Sequence, residues 1–176
     1  MTSPDQDLAG RIKEAAYLEG DFTLRSGRKS RYYLDKYLFE TQPDILRALG
    51  ERLAACVRDS TTRIAGAELG GVPLAAATSL ASGRPFVIVR NTKKDYGTQK
   101  PFEGRLDAGD RVLVVEDIAT TGGQVLEAAR FIRSVGAVVE RIVAVIDRQE
   151  GARENLESAG FVFEALFTKA DLGIRD

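Results

Sequence analysis

The apolar positions of this chain change rhythm several times before they settle into a regular alternation. Leu8, Ile12, Ala15, Ala16 and Leu18 fall on one face of a helix over 5–19, with Gly20 as its stop. Residues 22–24 and 31–35 read as short strands around a Ser26-Gly27-Arg28 turn. Pro43 opens a second helix, whose apolar face is Ile45, Leu46, Leu49, Leu53, Cys56 and Val57. From there, strands over 63–68, 85–90, 111–116, 138–146 and 161–168 alternate with helices over 71–82, 122–135 and 150–159. Val112–Val115 and Ile142–Ile146 are nearly unbroken runs of β-formers, as expected of parallel strands covered on both faces. The pattern predicts an α/β fold, a doubly wound and mainly parallel sheet flanked by helices, in one domain over 1–176. Ligands in such sheets sit beyond the carboxyl ends of the strands, so the positions just after 68, 90, 116 and 146 carry the interest.

One connection breaks the rhythm. The polar stretch 91–109 is long for an α/β link, is basic, and holds Gly97 and Gly104. It reads as a solvated loop or a lid that closes over a site.

Composition narrows the chemistry. The 176 residues include no histidine and one cysteine, which excludes a Ser-His-Asp triad, a Cys-His pair, a His-ligated zinc and an internal disulfide. A hydrophobic fraction of 44% and a charged fraction of 29% suit a folded soluble domain. No apolar run approaches the length of a membrane span, and Met1-Thr2-Ser3-Pro4-Asp5 lacks the features of a signal peptide. A cytoplasmic location is the expectation. Cys56, on an apolar helix face, reads as core.

The net charge of −1 hides two basic clusters. Arg25, Arg28, Lys29, Arg31 and Lys36 outweigh Asp35 in 25–36, for a net of +4. Arg90, Lys93, Lys94, Lys100 and Arg105 outweigh Asp95 and Glu103 in 90–105, for a net of +3, so the remainder stands at −8. Local basic clusters on an acidic chain point to a focused anion site. Nucleic acid is the rival partner, and an isoelectric point near 5.7 argues against it.

The strongest chemical signal runs from Val112 to Gln124. A buried strand ends in Glu116-Asp117, a short turn Thr120-Thr121-Gly122-Gly123 follows, and then a helix. Successive backbone N–H groups at such a helix start form a phosphate nest, and the threonines add hydroxyl donors. Neither a Walker loop nor a dinucleotide fingerprint is present. Two acids beside a phosphate nest suit a ligand with hydroxyls on one side and a phosphate on the other, as in a ribose 5-phosphate. The acids would also stabilise positive charge developing on the sugar.

Residues 112–124 resemble the phosphoribosyl-diphosphate motif of type I phosphoribosyltransferases, and the whole chain resembles the orotate phosphoribosyltransferase family. Four further stretches carry the likeness: Phe22–Tyr33, Glu68-Leu-Gly-Gly-Val-Pro73, Arg90–Gly97 and Asp147-Arg-Gln-Glu-Gly151. The ending Ala170-Asp-Leu-Gly173 is similar too. The resemblance implies the type I fold, with residues 1–40 forming a small N-terminal hood and 91–109 a flexible catalytic loop. It also implies a reaction. Orotate displaces diphosphate from 5-phosphoribosyl 1-diphosphate with magnesium, giving orotidine 5′-monophosphate, in the penultimate step of new UMP synthesis.

By the same resemblance, Lys94, Asp117 and Glu116 are catalytic. Arg25, Arg90, Lys94, Glu116, Asp117, Ile118, Ala119, Thr120, Thr121, Gly122, Gly123 and Gln124 would hold the sugar diphosphate. Tyr33, Leu34, Thr120 and Arg148 would hold orotate, with Arg148 as a two-pronged clamp on its carboxylate. Magnesium would be held mainly by substrate and water rather than by a protein cage. The family implies a homodimer whose loop lysine reaches the partner's site, and no nucleic-acid or membrane partner.

The chain departs from the family at Arg25, Asn91 and Gly70, where lysine is common, and at Tyr96, where histidine is common. The altered loop leaves room for a ligand-sensing regulator that catalyses nothing, and the sugar-phosphate motif alone would also suit a purine enzyme. From residue chemistry alone, Arg148 could pair with Glu150 or Asp147 on the surface. With no histidine, the activity–pH profile should lack an imidazole step near pH ~6.5.

Overall fold

The computed structural model describes residues 4–23, 29–90 and 101–174. The chain runs α1 (Pro4–Ala16), β1 (Tyr17–Thr23), β2 (Lys29–Leu34), α2 (Lys36–Glu40), α3 (Pro43–Ala54), β3 (Arg63–Ala67), α4 (Gly71–Ser82), β4 (Phe86–Val89), β5 (Phe102–Glu103), β6 (Arg111–Ala119), α5 (Gly123–Ser134), β7 (Val138–Asp147), α6 (Ala152–Ser158) and β8 (Phe163–Thr168). The main sheet has the order β5-β4-β3-β6-β7-β8. Its five longer strands are parallel, and β5 closes one edge antiparallel to β4.

Alternation along β6 shows why the sheet is buried on both sides. Leu113 and Val115 join a core with Leu74 of α4, Leu49 and Leu53 of α3, and Ile12 of α1. Val112 and Val114 join the opposite core, with Val125 and Ile132 of α5 and Leu156 of α6. A strand whose two faces both meet helices has no polar face to show, hence the unbroken apolar runs. The doubly wound parallel architecture expected from the pattern is the one observed.

β1 and β2 form a separate antiparallel ribbon. Leu34 and Tyr32 press it onto the body, and Phe39 of α2 is fully buried beneath. The hood and sheet thus share one core.

Several elements differ from the sequence pattern, the ribbon strands among them, at 17–23 and 29–34 rather than 22–24 and 31–35. The first helix ends at Ala16, not 19, because Tyr17 and Leu18 pair with Leu34 and Tyr33 across the ribbon. Gly20 therefore lies inside β1 rather than closing a helix. Helix α2 has five residues, too few for a periodic signal, and is started by the Asp35 carboxylate accepting from the Tyr37 N–H at 3.1 Å. β5 hides in the polar stretch, where Phe102 packs on Phe131 at a ring separation of 5.9 Å. Finally, β6 continues past 116 to Ala119, held by Ile118 opposite Ile146 and Ala119 opposite Asp147 of β7. The acidic pair consequently lies within the strand rather than at its end.

Candidate active site

The carboxyl ends of β3, β4, β6 and β7 converge, and β6 forms the floor between them. Glu116 and Asp117 are both buried there. After Ala119 the turn is tight. Gly122 takes a left-handed conformation (φ 73°) and caps α5, which begins at Gly123. A side chain at this position would be strained. The Asn155 amide donates to the Thr121 carbonyl at 2.9 Å, and the Gln124 amide donates to the Glu68 carbonyl at 2.9 Å. These bonds fix the turn against α6 on one side and the β3–α4 turn on the other. Thr121, Gly123 and Gln124 stay exposed, at the end of the helix whose first N–H groups have no partner within the helix.

The acids are electrically crowded. Lys36 of α2 donates to Asp117 Oδ2 at 2.6 Å. Burial works against the Lys36 ammonium, but Asp117 outweighs it and the amine is held above its ordinary value. Burial, and then the adjacent Asp117 carboxylate, hold Glu116 well above the usual carboxylate range. Its Oε2 is buried with no hydrogen-bond partner. Burial and Asp117 also push Glu40, at the end of α2, up to about 8, and both its carboxyl oxygens are buried without partners. Both carboxyls are thus held above the usual carboxylate range, Glu40 at about 8.

Glu40 has a measurable consequence. Its favourable effect on stability is full below its ordinary value of 4.5, where folded and unfolded chains both carry the proton. Above that only the unfolded chain ionises, so stability falls, and the loss is complete beyond about 8. Glu40→Gln should therefore shrink the drop in Tm between pH ~5 and ~9. Thermal melts of both proteins across that range check this, and parallel curves would refute it.

The hood supplies the opposite wall. Arg148, just past β7, donates its N–H to the Ala119 carbonyl at 2.9 Å. Its guanidinium reaches up to the Tyr32 hydroxyl at 3.4 Å and lies 3.0 Å from Glu150. The ion pair with Glu150 exists, but the side chain is 13% exposed and points beneath the hood rather than out across the surface. Tyr33 is exposed and stacks loosely on Phe22, with ring centroids 5.6 Å apart, while Leu34 is buried. Arg90, at the end of β4, lies 3.6 Å from Glu103 of β5, with its Nε buried and unbonded. An open hollow of about 570 Å³ lined by Tyr17, Glu19, Gly20, Asp21 and Arg31 lies on the ribbon and includes none of these strand-end residues.

The structure brings Glu116, Asp117, Ile118, Ala119, the 120–124 turn, Arg148, Tyr33 and Leu34 to one end of the sheet, with Arg90 just past β4, beyond β3. Arg25 and Lys94 lie outside the described residues, as do Arg28, Asn91, Lys93 and Tyr96. Lys36, Glu40 and Asn155 were missed by sequence reasoning. Lys36 counted only as part of a basic cluster. Glu40 had one signal, a lone acid after Tyr37-Leu38-Phe39. Asn155 had none, because its partner is a backbone carbonyl from another element.

A phosphoribosyl transferase domain model matches residues 39–172. An orotate phosphoribosyltransferase from Methanocella arvoryzae is 46% identical over 169 residues, covering 96% of this chain and 97% of that protein. Among solved structures, Mycobacterium tuberculosis orotate phosphoribosyltransferase in complex with Fe(III) dicitrate aligns with a TM-score of 0.85 at 34% identity, over 97% of this chain and 100% of that one. The same enzyme in complex with 5-phospho-alpha-D-ribosyl 1-diphosphate aligns with a TM-score of 0.80 at 32% identity, over 97% of this chain and 100% of that one.

Proposed function

We propose that this chain, which belongs to the phosphoribosyltransferase family and groups within it with the orotate phosphoribosyltransferases, transfers the phosphoribosyl group of 5-phosphoribosyl 1-diphosphate to orotate. The products are orotidine 5′-monophosphate and diphosphate, a step of pyrimidine biosynthesis. The observation that carries this reading is the position of Arg148. Its guanidinium lies beneath the hood, against the Tyr32 hydroxyl and Glu150, and its backbone is bonded to Ala119 just before the phosphate turn, which supports a ring with a carboxylate lying there.

The chemistry follows from what the residues can do. The 120–124 turn, with Ile118 and Ala119 before it, binds the 5-phosphate and fixes the sugar. Asp117 and Glu116 take the ribose hydroxyls and face the positive charge that develops as the bond to diphosphate lengthens. Arg148 clamps the orotate carboxylate, Thr120 touches the ring, and Tyr33 and Leu34 form its hood wall. Orotate N1 is thereby aimed at the anomeric carbon opposite the leaving group, so inversion results. Arg90 and Arg25 bind diphosphate, and Lys94 stabilises it as it leaves, reaching across a homodimer from the partner subunit.

Among the described residues, no three carboxylate, thiol or imidazole side chains gather as a metal cage. The donor set is two adjacent acids, one with a free buried oxygen. That set fits magnesium held by substrate and water, and when bound the ion neutralises the diphosphate. No helix among the described residues is long and apolar enough to cross a membrane.

A turnover assay with orotate, 5-phosphoribosyl 1-diphosphate and magnesium tests the reading, with adenine, hypoxanthine and uracil as competing acceptors. Orotate is expected to be consumed and the purines left. No orotate loss above a Lys94→Ala control overturns it.

A further inference from the structure

The acidic pair is gripped from outside its own strand. Asp117 Oδ1 accepts from the N–H of Ile118, and Oδ2 accepts from Lys36 Nζ at 2.6 Å. Lys36 opens α2, and its backbone is anchored. Asp35 donates its N–H to the Ala16 carbonyl at 2.9 Å and caps the Tyr37 N–H with its carboxylate. The ammonium therefore reaches the strand end from a fixed point on the hood. Both oxygens of Asp117 are engaged, so its plane is set, yet each keeps a lone pair for an incoming hydroxyl.

Gly70 is an independent observation at the same spot. Its backbone angles, φ −68° and ψ −31°, are open to any residue. Space is what demands glycine. A Cβ there would stand 1.7 Å from Asp117 Oδ2 and 3.1 Å from Lys36 Nζ. The turn leading into α4 has given up its side chain at the point where a cation from the hood meets the acid.

We propose that Lys36 is a positioning residue for the transfer: it clamps the Asp117 carboxylate across the gap left by Gly70 and presets it for the ribose hydroxyls. This rests on the orotate phosphoribosyltransferase reading. The ionisable groups around the clamp are Asp35, Tyr37 and Glu40 on the hood side and Glu116 on β6, and Lys36 is the cation among them. Losing it would leave Asp117 free to rotate, held by the N–H of Ile118 alone, and would take the cation away from the acid pair.

Lys36→Met keeps the length of the side chain and removes its charge, and Lys36→Arg keeps the charge. The methionine variant is expected to weaken 5-phosphoribosyl 1-diphosphate about 10- to 100-fold, the size of a lost charge-assisted bond. The loss should show both as KM and as calorimetric Kd, while the orotate KM stays within about twofold. The arginine variant should recover most of the loss. Gly70→Ala, which forces the carboxylate from its seat with Lys36 intact, should reproduce the methionine variant, and it decides the matter if that variant does not fold. Unchanged affinity in Lys36→Met, or equal loss in the methionine and arginine variants, overturns the proposal. A wild-type protein that binds the sugar diphosphate but ignores orotate overturns the functional reading instead, since calorimetry still reports on the clamp.

Discussion

Replacing Arg148 with alanine should raise the KM for orotate by about 100-fold while leaving the KM for 5-phosphoribosyl 1-diphosphate nearly unchanged. The size follows from losing a charge-assisted, two-pronged contact at a mostly buried place, about 2–3 kcal/mol. The selectivity of the effect follows from geometry. The guanidinium lies toward the Tyr32 hydroxyl and Glu150, on the hood side of the strand end, whereas the phosphate turn is held by Asn155 and Gln124. The bond to Ala119 comes from the backbone N–H of residue 148, and alanine keeps it. Arg148→Lys should rescue little, because a point charge does not offer the planar fork. Preference for orotate over uracil should fall by a similar factor, since uracil has no carboxylate to lose. Steady-state kinetics with orotate varied, for both variants, check this. A normal orotate KM in Arg148→Ala would mean that the arginine is merely a partner of Glu150.

Much of this fold was legible because its signals are local. The runs Val112–Val115 and Ile142–Ile146 announce strands buried on both sides, and those strands are the centre of the sheet. The 112–124 motif was legible for the same reason, since acid pair, turn and helix start are contiguous in the chain. What escaped is what depends on distant partners. The helix over 5–19 was cut short by pairing with β2, which no window around Tyr17 contains. The extension of β6 to Ala119 is imposed by β7, and it moves the acid pair from the end of a strand into its interior. Lys36 looks like one more solvated charge in a basic cluster until the fold carries it across 81 positions to Asp117. Gly70 reads as the loss of a side chain in sequence and as clearance for an ion pair in space.

The two acids that look equivalent in sequence should not be equivalent in catalysis. Asp117→Asn is expected to lower kcat by about 10²- to 10³-fold, the usual cost of removing a preorganised charge aimed at a transition state. Asparagine keeps the shape and can still accept from Ile118, but it presents a neutral amide where the sugar turns cationic. It also leaves the Lys36 ammonium, whose partner Asp117 is, as an added positive charge beside that cation. Because the hydroxyl contacts survive in part, KM for the sugar diphosphate should move less than kcat, the signature of an interaction made chiefly in the transition state. Glu116→Gln should behave differently. Burial and the neighbouring Asp117 hold Glu116 well above the usual carboxylate range, so a negative charge there is disfavoured. An amide there keeps the shape and removes a charge that the site already disfavours, and the expected loss is about tenfold or less. Single-turnover rates for the two variants, measured side by side at neutral pH, decide it. If Glu116→Gln proves as damaging as Asp117→Asn, the pair shares its negative charge during the reaction and the division of labour drawn from burial is wrong.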